Sequence, residues 1–366
     1  FKQKTAYEIR LSLVGSEMCI RDSSYTRTSM SEASKESLGA ILDGIYATMV
    51  NGYAEGRKKS PAEIQSLLDN GPYLAKQALQ AKLVDALEYE EDCIQAIAKK
   101  ANVSSRSRTS AREYRRIVRS EWDPRAKSHN RVAYLVAEGD ITRGEGAGGF
   151  GSDDGIASRS FIRKVNDLKK DDQYQAVLLR IDSGGGDAIA SDELLAALKE
   201  LSKAKPMVIS MSDVAASGGY YMAVTGDPIL AYPSTITGSI GVVYGKPNIG
   251  GLYDKLGITK DGLQRGKNAD IDAEDKPLSE TAKMKLREGI DETYKTFVDM
   301  VAKGRKAKFE EIEVLAQGRA WIASDPKAKR LTDELGGLAA AKELLRNKAK
   351  FAAGSKLYLL PYPAPR

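Results

Sequence analysis

Two glycine-rich loops hold the residue types from which a nucleophilic site can be built. The first is Ser183-Gly184-Gly185-Gly186-Asp187, directly after the apolar run AVLLRID at 176–182. The second is Asp213-Val214-Ala215-Ala216-Ser217-Gly218-Gly219-Tyr220-Tyr221, directly after MVISMS at 207–212. Glycines at the carboxyl end of a strand let backbone N–H groups come close to a ligand. A serine at the first turn of the following helix sits where unpaired N–H groups favour developing negative charge. Together the loops can form a nucleophile facing an oxyanion hole of backbone donors, each worth about 10²–10³ in rate in serine peptidases. Taken singly, three glycines are a turn and Ser217 is a helix cap. A G-x-S-x-G elbow is excluded by Ala215, and a phosphate loop by the lack of Lys-Ser/Thr after the glycines.

The elements that must position these loops alternate in type. Arg131–Ile141 reads as a strand, Ser160–Leu168 as a helix and Ala176–Asp182 as a buried strand. Asp192–Leu201 is helical, Met207–Ser212 a strand, Ser217–Thr225 a helix and Ile229–Tyr232 a strand. Strands separated by helices of this length imply βαβ units and a largely parallel, covered sheet.

An internal repeat sets the larger organisation. A shift of 248 residues places 30–101 on 278–349 without a gap. Ser31-Glu32 falls on Ser279-Glu280, Gly56-Arg57-Lys58 on Gly304-Arg305-Lys306, Glu63-Ile64 on Glu311-Ile312, and Asp85 on Asp333. Residues 24–101 therefore read as the C-terminal part of one module. Residues 131–348 read as a second, more complete module carrying Ser217, and 349–366 as a tail. Between them, 102–130 is a Ser/Arg-rich linker without apolar period. Residues 1–23, ending SLVGSEMCIRDS, resemble translated adapter sequence and read as a foreign or disordered head.

The net charge of +6 is local: 99–131 hold eleven Lys/Arg against three acids. With only Tyr114 and Trp122 interleaved, this segment suits a solvated linker or an anionic lipid surface, not nucleic acid. Two cysteines make no disulfide framework, and no run is long enough to span a bilayer.

R-I-D-S-x-G-G at 180–186, A-S-G-G-Y-Y at 216–221 and T-I-T-G-S-I-G at 235–241 together resemble peptidase family S49, in its long two-repeat form. The resemblance covers about 24–101 and 131–348, and departs from the family in having Gly184 where proline is usual. It implies the fold shared by the Clp protease and the crotonases. It implies a serine endopeptidase acting on remnant signal peptides at the periplasmic side of the bacterial inner membrane. Ser217 would be the nucleophile, Gly185, Gly186 and Gly218 the oxyanion donors, and Ser239 the residue orienting a lysine base. A homotetramer and an N-terminal membrane anchor are implied, but no metal, nucleotide or other cofactor. Tyr220, Tyr221 and Met222 would wall the groove or pack as core.

The lone His129 lies in the linker, which argues against a Ser-His-Asp triad and against a Clp-type enzyme. A lysine base must be neutral near pH 7, which requires burial. The family's lysine segment corresponds to Gly266-Lys267-Asn268-Ala269-Asp270-Ile271, with alanine in the lysine's place. In the long form the lysine comes from the first module, and the repeat offset carries Ala269 onto Arg21, within the head. The base is thus expected to be missing, with Lys267 a weak substitute two residues along an extended segment. Lys246 and Lys255 are expected in solvent. Two other classes share these features: a non-catalytic peptide-binding scaffold, and a crotonase-like CoA-binding enzyme for which Asp187 is the only hint.

Overall fold

The computed structural model describes residues 10–14, 29–104, 109–114, 130–146, 155–328 and 330–363. The chain divides into two compact units, Ile45–His129 and the remainder. The remainder is built on an eight-stranded sheet. Its strands are β2 (Arg131–Glu138), β5 (Ala176–Ser183), β6 (Met207–Ala216), β7 (Ile229–Ala231), β8 (Ile236–Gly238), β10 (Ala320–Ile322), β11 (Glu334–Leu335) and β12 (Tyr358–Tyr362). The main path runs β10-β8-β6-β5-β2-β12, with β7 beside β6 and β11 beside β7. Every pairing is parallel except β10 with β8. Short strands β3 (Ile141–Thr142) and β4 (Ile156–Ala157) pair apart from it, as do β1 (Arg10–Val14) and β9 (Tyr244–Asn248).

The sequence explains the centre of this sheet. Ala176-Val177-Leu178-Leu179 are all buried, as a strand covered on both faces requires. Leu179 lies opposite Leu135 on one side and Ile209 on the other. One face packs against α5 (Ser158–Lys170), α6 (Ala188–Ala204), α7 (Gly218–Ala223) and α9 (Glu280–Arg305) around Phe161, Leu194, Met222 and Phe297. The other packs Leu178, Val208 and Leu230 against α11 (Leu338–Lys348) through Ala341 and Leu345. The expected parallel βαβ architecture is present.

Strand β6 does most to place the site. Its first part pairs with β7 (Ile209 opposite Ile229), its last with β8 (Ala216 opposite Gly238). It runs four residues past the expected end at Ser212, so Ser217 follows the strand directly. The tail also differs from expectation: β12 forms the sheet edge beside β2, where Pro361 is tolerated because an edge strand has a free side.

Unit Ile45–His129 contains the rest of α1 (Glu32–Arg57), then α2 (Pro61–Asp69), α3 (Ala75–Gln80) and α4 (Glu90–Ala101), with a small core of Val50, Ala54 and Ile64. Several local features of this unit occur again 248 residues further along the chain. Helix α1 and α9 are both 26 residues long and offset by 248 at each end. Each is followed by a left-handed lysine, Lys58 or Lys306. Arg57 bonds Asp85 at 2.8 Å, as Arg305 bonds Asp333 at 2.8 Å. Glu63 accepts the Ser60 N–H as Glu311 accepts that of Lys308.

Among the described residues no helix is long and apolar enough to cross a membrane. His129, Arg21 and, apart from β1, the expected foreign head lie outside the described residues.

Candidate active site

Ser217 sits between β6 and α7 with φ +53° and ψ −124°, a conformation that costs a non-glycine residue about 1–3 kcal/mol. Its N–H donates to the Gly238 carbonyl at 2.8 Å, which ties the turn to the end of β8. The half-buried side chain caps no helix N–H, and Oγ makes no hydrogen bond among the described residues. A strained strand-turn-helix with a free hydroxyl is the arrangement of a nucleophile elbow, reached here without its first glycine.

The glycine loop presses against this turn. A methyl group on Gly185 would lie 2.5 Å from the Gly218 nitrogen and 2.8 Å from Ser217 Cβ. One on Gly218 would lie 2.4 Å from Ser191 Oγ. Only glycine lets the two backbones approach so closely. By contrast a methyl on Gly184 meets nothing within 4 Å, so this position has room for a side chain.

Two serines lock the loop. Ser183 is buried; its Oγ donates to the Gly139 carbonyl at 2.7 Å and accepts the Gly185 N–H at 3.1 Å. Ser191 Oγ donates to the Asp187 carbonyl at 2.8 Å. The Ile141 N–H donates to the Gly185 carbonyl and the Asp187 N–H to the Ile141 carbonyl, each at 2.9 Å, bracketing Gly186. The consequence for the expected oxyanion set is specific. The Gly185 N–H is engaged by Ser183, whereas those of Gly186 and Gly218 have no partner among the described residues and border the same cavity. The sequence carried no sign of Ser183 or Ser191 in these roles, because a hydroxyl bonded to backbone leaves no spacing signature.

That cavity, of about 710 Å³, is lined by Ser217, Gly186, Gly218 and Ser239, by Ile189 of α6, and by Phe297 of α9 among others. Ser239 is 6% exposed, has φ +49°, and donates its N–H to the Arg319 carbonyl. Tyr221 borders the cavity and donates its hydroxyl to Asp192 at 2.7 Å. Burial and that carboxylate raise its phenol well above the ordinary range. Tyr220 and Met222 are core, with Tyr220 bonded to the Leu331 carbonyl. The α9 wall lies within 278–349, a stretch the sequence offered only as the second copy in the 248-residue alignment.

The lysine expectations fail in part. Residues 266–273 form successive turns (Ala269 N–H to Gly266 O, Ile271 N–H to Asn268 O), so the extended geometry assumed for Lys267 is absent. Gly266, Asn268 and Asp270 are turn-forming residues, and they win over strand continuation. Lys267 is exposed and does not line the cavity. Lys246, expected in solvent, is 4% exposed and donates to the carbonyls of Ala273 (2.6 Å) and Lys276 (2.8 Å). Lys255 is exposed as expected. Among the described residues the one lysine on the cavity wall, Lys285, is 64% exposed and paired with Glu288 at 2.6 Å, so it lacks the burial a lysine base needs. Asp187, the acid a CoA-binding site would use, is taken up by capping Ala190 and pairing with Arg143. Burial opposes ionisation there, and the Arg143 and backbone hydrogen bonds outweigh it, holding the carboxyl below its ordinary value. Among the described residues no group of acids, histidines and cysteines could hold a metal.

The model of peptidase family S49 matches residues 18–104 and 199–352. The chloroplastic serine protease SPPA of Arabidopsis thaliana is 31% identical over 343 residues, which are 93% of this chain and 50% of that protein. Protease 4 of Salmonella typhi is 32% identical over 339 residues, 88% of this chain and 53% of that protein. The chain thus spans about half the length of these relatives. Among solved structures, a ClpP1 mutant from Listeria monocytogenes aligns at 13% identity over 58% of this chain and 94% of that one, with a TM-score of 0.33.

Proposed function

The chain belongs to peptidase family S49, and on that premise we propose that it carries the nucleophilic half of a serine endopeptidase that degrades cleaved signal peptides. The observation that carries this is the pairing of a free, strained Ser217 hydroxyl with two unengaged glycine N–H groups on one cavity. Ser217 Oγ attacks the peptide carbonyl carbon. The carbonyl oxygen takes up negative charge against the N–H groups of Gly186 and Gly218. Collapse expels the amine and leaves an acyl-serine, which water then hydrolyses.

Attack requires a base to take the hydroxyl proton. Among the described residues the cavity offers only Arg143 and Lys285 as basic side chains, and each is engaged in an ion pair, Arg143 with Asp187 and Lys285 with Glu288. A lysine from outside the described residues completes the dyad in this proposal, with Ser239 Oγ as its hydrogen-bonding neighbour. Action at the inner membrane and assembly as a homotetramer rest on the family resemblance.

The test is labelling with a serine-directed phosphonate. It compares the chain, its Ser217→Ala variant, and a chain carrying the genomic sequence ahead of residue 24. Labelling of the genomic form alone, lost with Ser217→Ala, is the expected result. Labelling of the present chain at Ser217 would put the base within it. No labelling in any form overturns the peptidase assignment.

A further inference from the structure

The cavity beside Ser217 is chemically lopsided. Five of its lining residues are acidic or basic: Arg143, Asp187, Asp192, Lys285 and Glu292. Both cations are already matched, Arg143 Nε by Asp187 at 2.7 Å and Lys285 Nζ by Glu288 at 2.6 Å. The carboxylates of Asp192 on α6 and Glu292 on α9 have no cation partner among the described residues; Asp192 accepts only the Tyr221 hydroxyl. A further polar group lines the same cavity. Ser239 is 94% buried by its 6% exposure, lines this cavity, and its Oγ has no hydrogen-bond partner among the described residues. The rest of the wall includes Ile189, Val243 and Leu286, two of them exposed at 54% and 44%.

We propose that this cavity selects peptides in which a lysine or arginine adjoins apolar residues, the cation reaching Asp192 and Glu292 while its apolar neighbours lie on Ile189, Val243 and Leu286. The inference rests on the peptidase function proposed above and names the part of the substrate the site prefers. Long basic side chains suit such a wall, because their methylene stems bury against apolar surface while the charged head stays near water and carboxylate. In a secretory signal peptide that combination occurs at one place, where the positively charged n-region meets the apolar h-region. Cutting there separates the charged end from the apolar run.

Binding tests this without turnover. The full chain carrying Ser217→Ala is titrated into fluorescent ten-residue apolar peptides that differ at one position, lysine, norleucine or glutamate, and anisotropy is read. The lysine peptide is expected to bind about fivefold tighter than the norleucine peptide, with glutamate weakest, and the gap to shrink at high salt. Asp192→Asn with Glu292→Gln, which keeps shape and the Tyr221 hydrogen bond, should bring the three together. Equal binding by the parent, or a preference that survives the double variant, overturns the inference while leaving the peptidase function standing. If none of the three peptides binds, the peptide groove itself is refuted, and the proposed function with it.

Discussion

At Ser217 the backbone is held where only glycine is comfortable, and the hold comes from the Gly238 carbonyl at one end and α7 at the other. Replacing Ser217 by glycine should therefore remove the nucleophile and at the same time stabilise the fold by about 1 kcal/mol, measured by urea denaturation. A stability loss would mean that the hydroxyl has a structural partner. The neighbouring glycines should behave oppositely to each other. Gly185 has φ +101° and no room, so Gly185→Ala should cost at least about 2 kcal/mol and split the two loops. Gly184 has open space, so Gly184→Pro should gain about 0.4–1 kcal/mol by restricting the unfolded chain. Ser217 and the glycines were legible in the sequence because their spacing after two apolar runs is itself the signal. Which glycine N–H remains free was not, since it depends on Ser183, a residue whose role exists only once Gly139 is folded over it.

Among the elements, α9 is fastened to the sheet by the Arg305–Asp333 pair, and α1 carries the same pair as Arg57–Asp85. Arg305 is 9% exposed and forms two hydrogen bonds to Asp333, whose carboxylate also accepts the Ile229 N–H at 2.7 Å. Burial works to raise the Asp333 carboxyl, but the guanidinium and the backbone N–H prevail and hold it below its ordinary value. A depressed carboxylate stabilises above its unfolded pKa, near 4, and that contribution fades as pH falls through the lower folded value. Asp333→Asn should thus destabilise by about 1–2 kcal/mol at pH 7, discounted for 41% exposure, and by progressively less below pH ~4. Asp85 is 90% exposed, and Asp85→Asn should show no measurable change in the same melts. The long central strands could be read from sequence because unbroken apolar runs survive without context. Strand β8 could not: three residues of Ile-Thr-Gly become a strand only between β6 and β10. The turns at 266–273 likewise overrode an analogy with an extended segment.

On the scale of the whole molecule, the chain spans about half the length of the Arabidopsis and Salmonella relatives, and residues 358–362 form the edge strand of its sheet. Strand β12 lies parallel to β2 from Tyr358 opposite Arg131 to Tyr362 opposite Leu135; Leu357 belongs to the smaller core and Leu359 packs against it, while Leu360 is buried as well. This edge was unreadable in LYLLPYP, where Pro361 argues against a strand in isolation. Without β12, the backbone of β2 would become an open edge flanked by Val132 and Leu135, which are buried at 0% and 1% exposure. Open edges of that kind recruit other chains. A chain ending at residue 353 is therefore expected to elute as larger species as its concentration rises, while the parent's elution is governed by contacts elsewhere. Leu360→Ala gives the same argument without removing the strand: it deletes buried methyl groups at an 8% exposed site and should cost about 2–3 kcal/mol in urea melts. A monodisperse truncated chain with an unchanged melting midpoint would show that β2 needs no cover, and that the tail decorates the sheet without completing it.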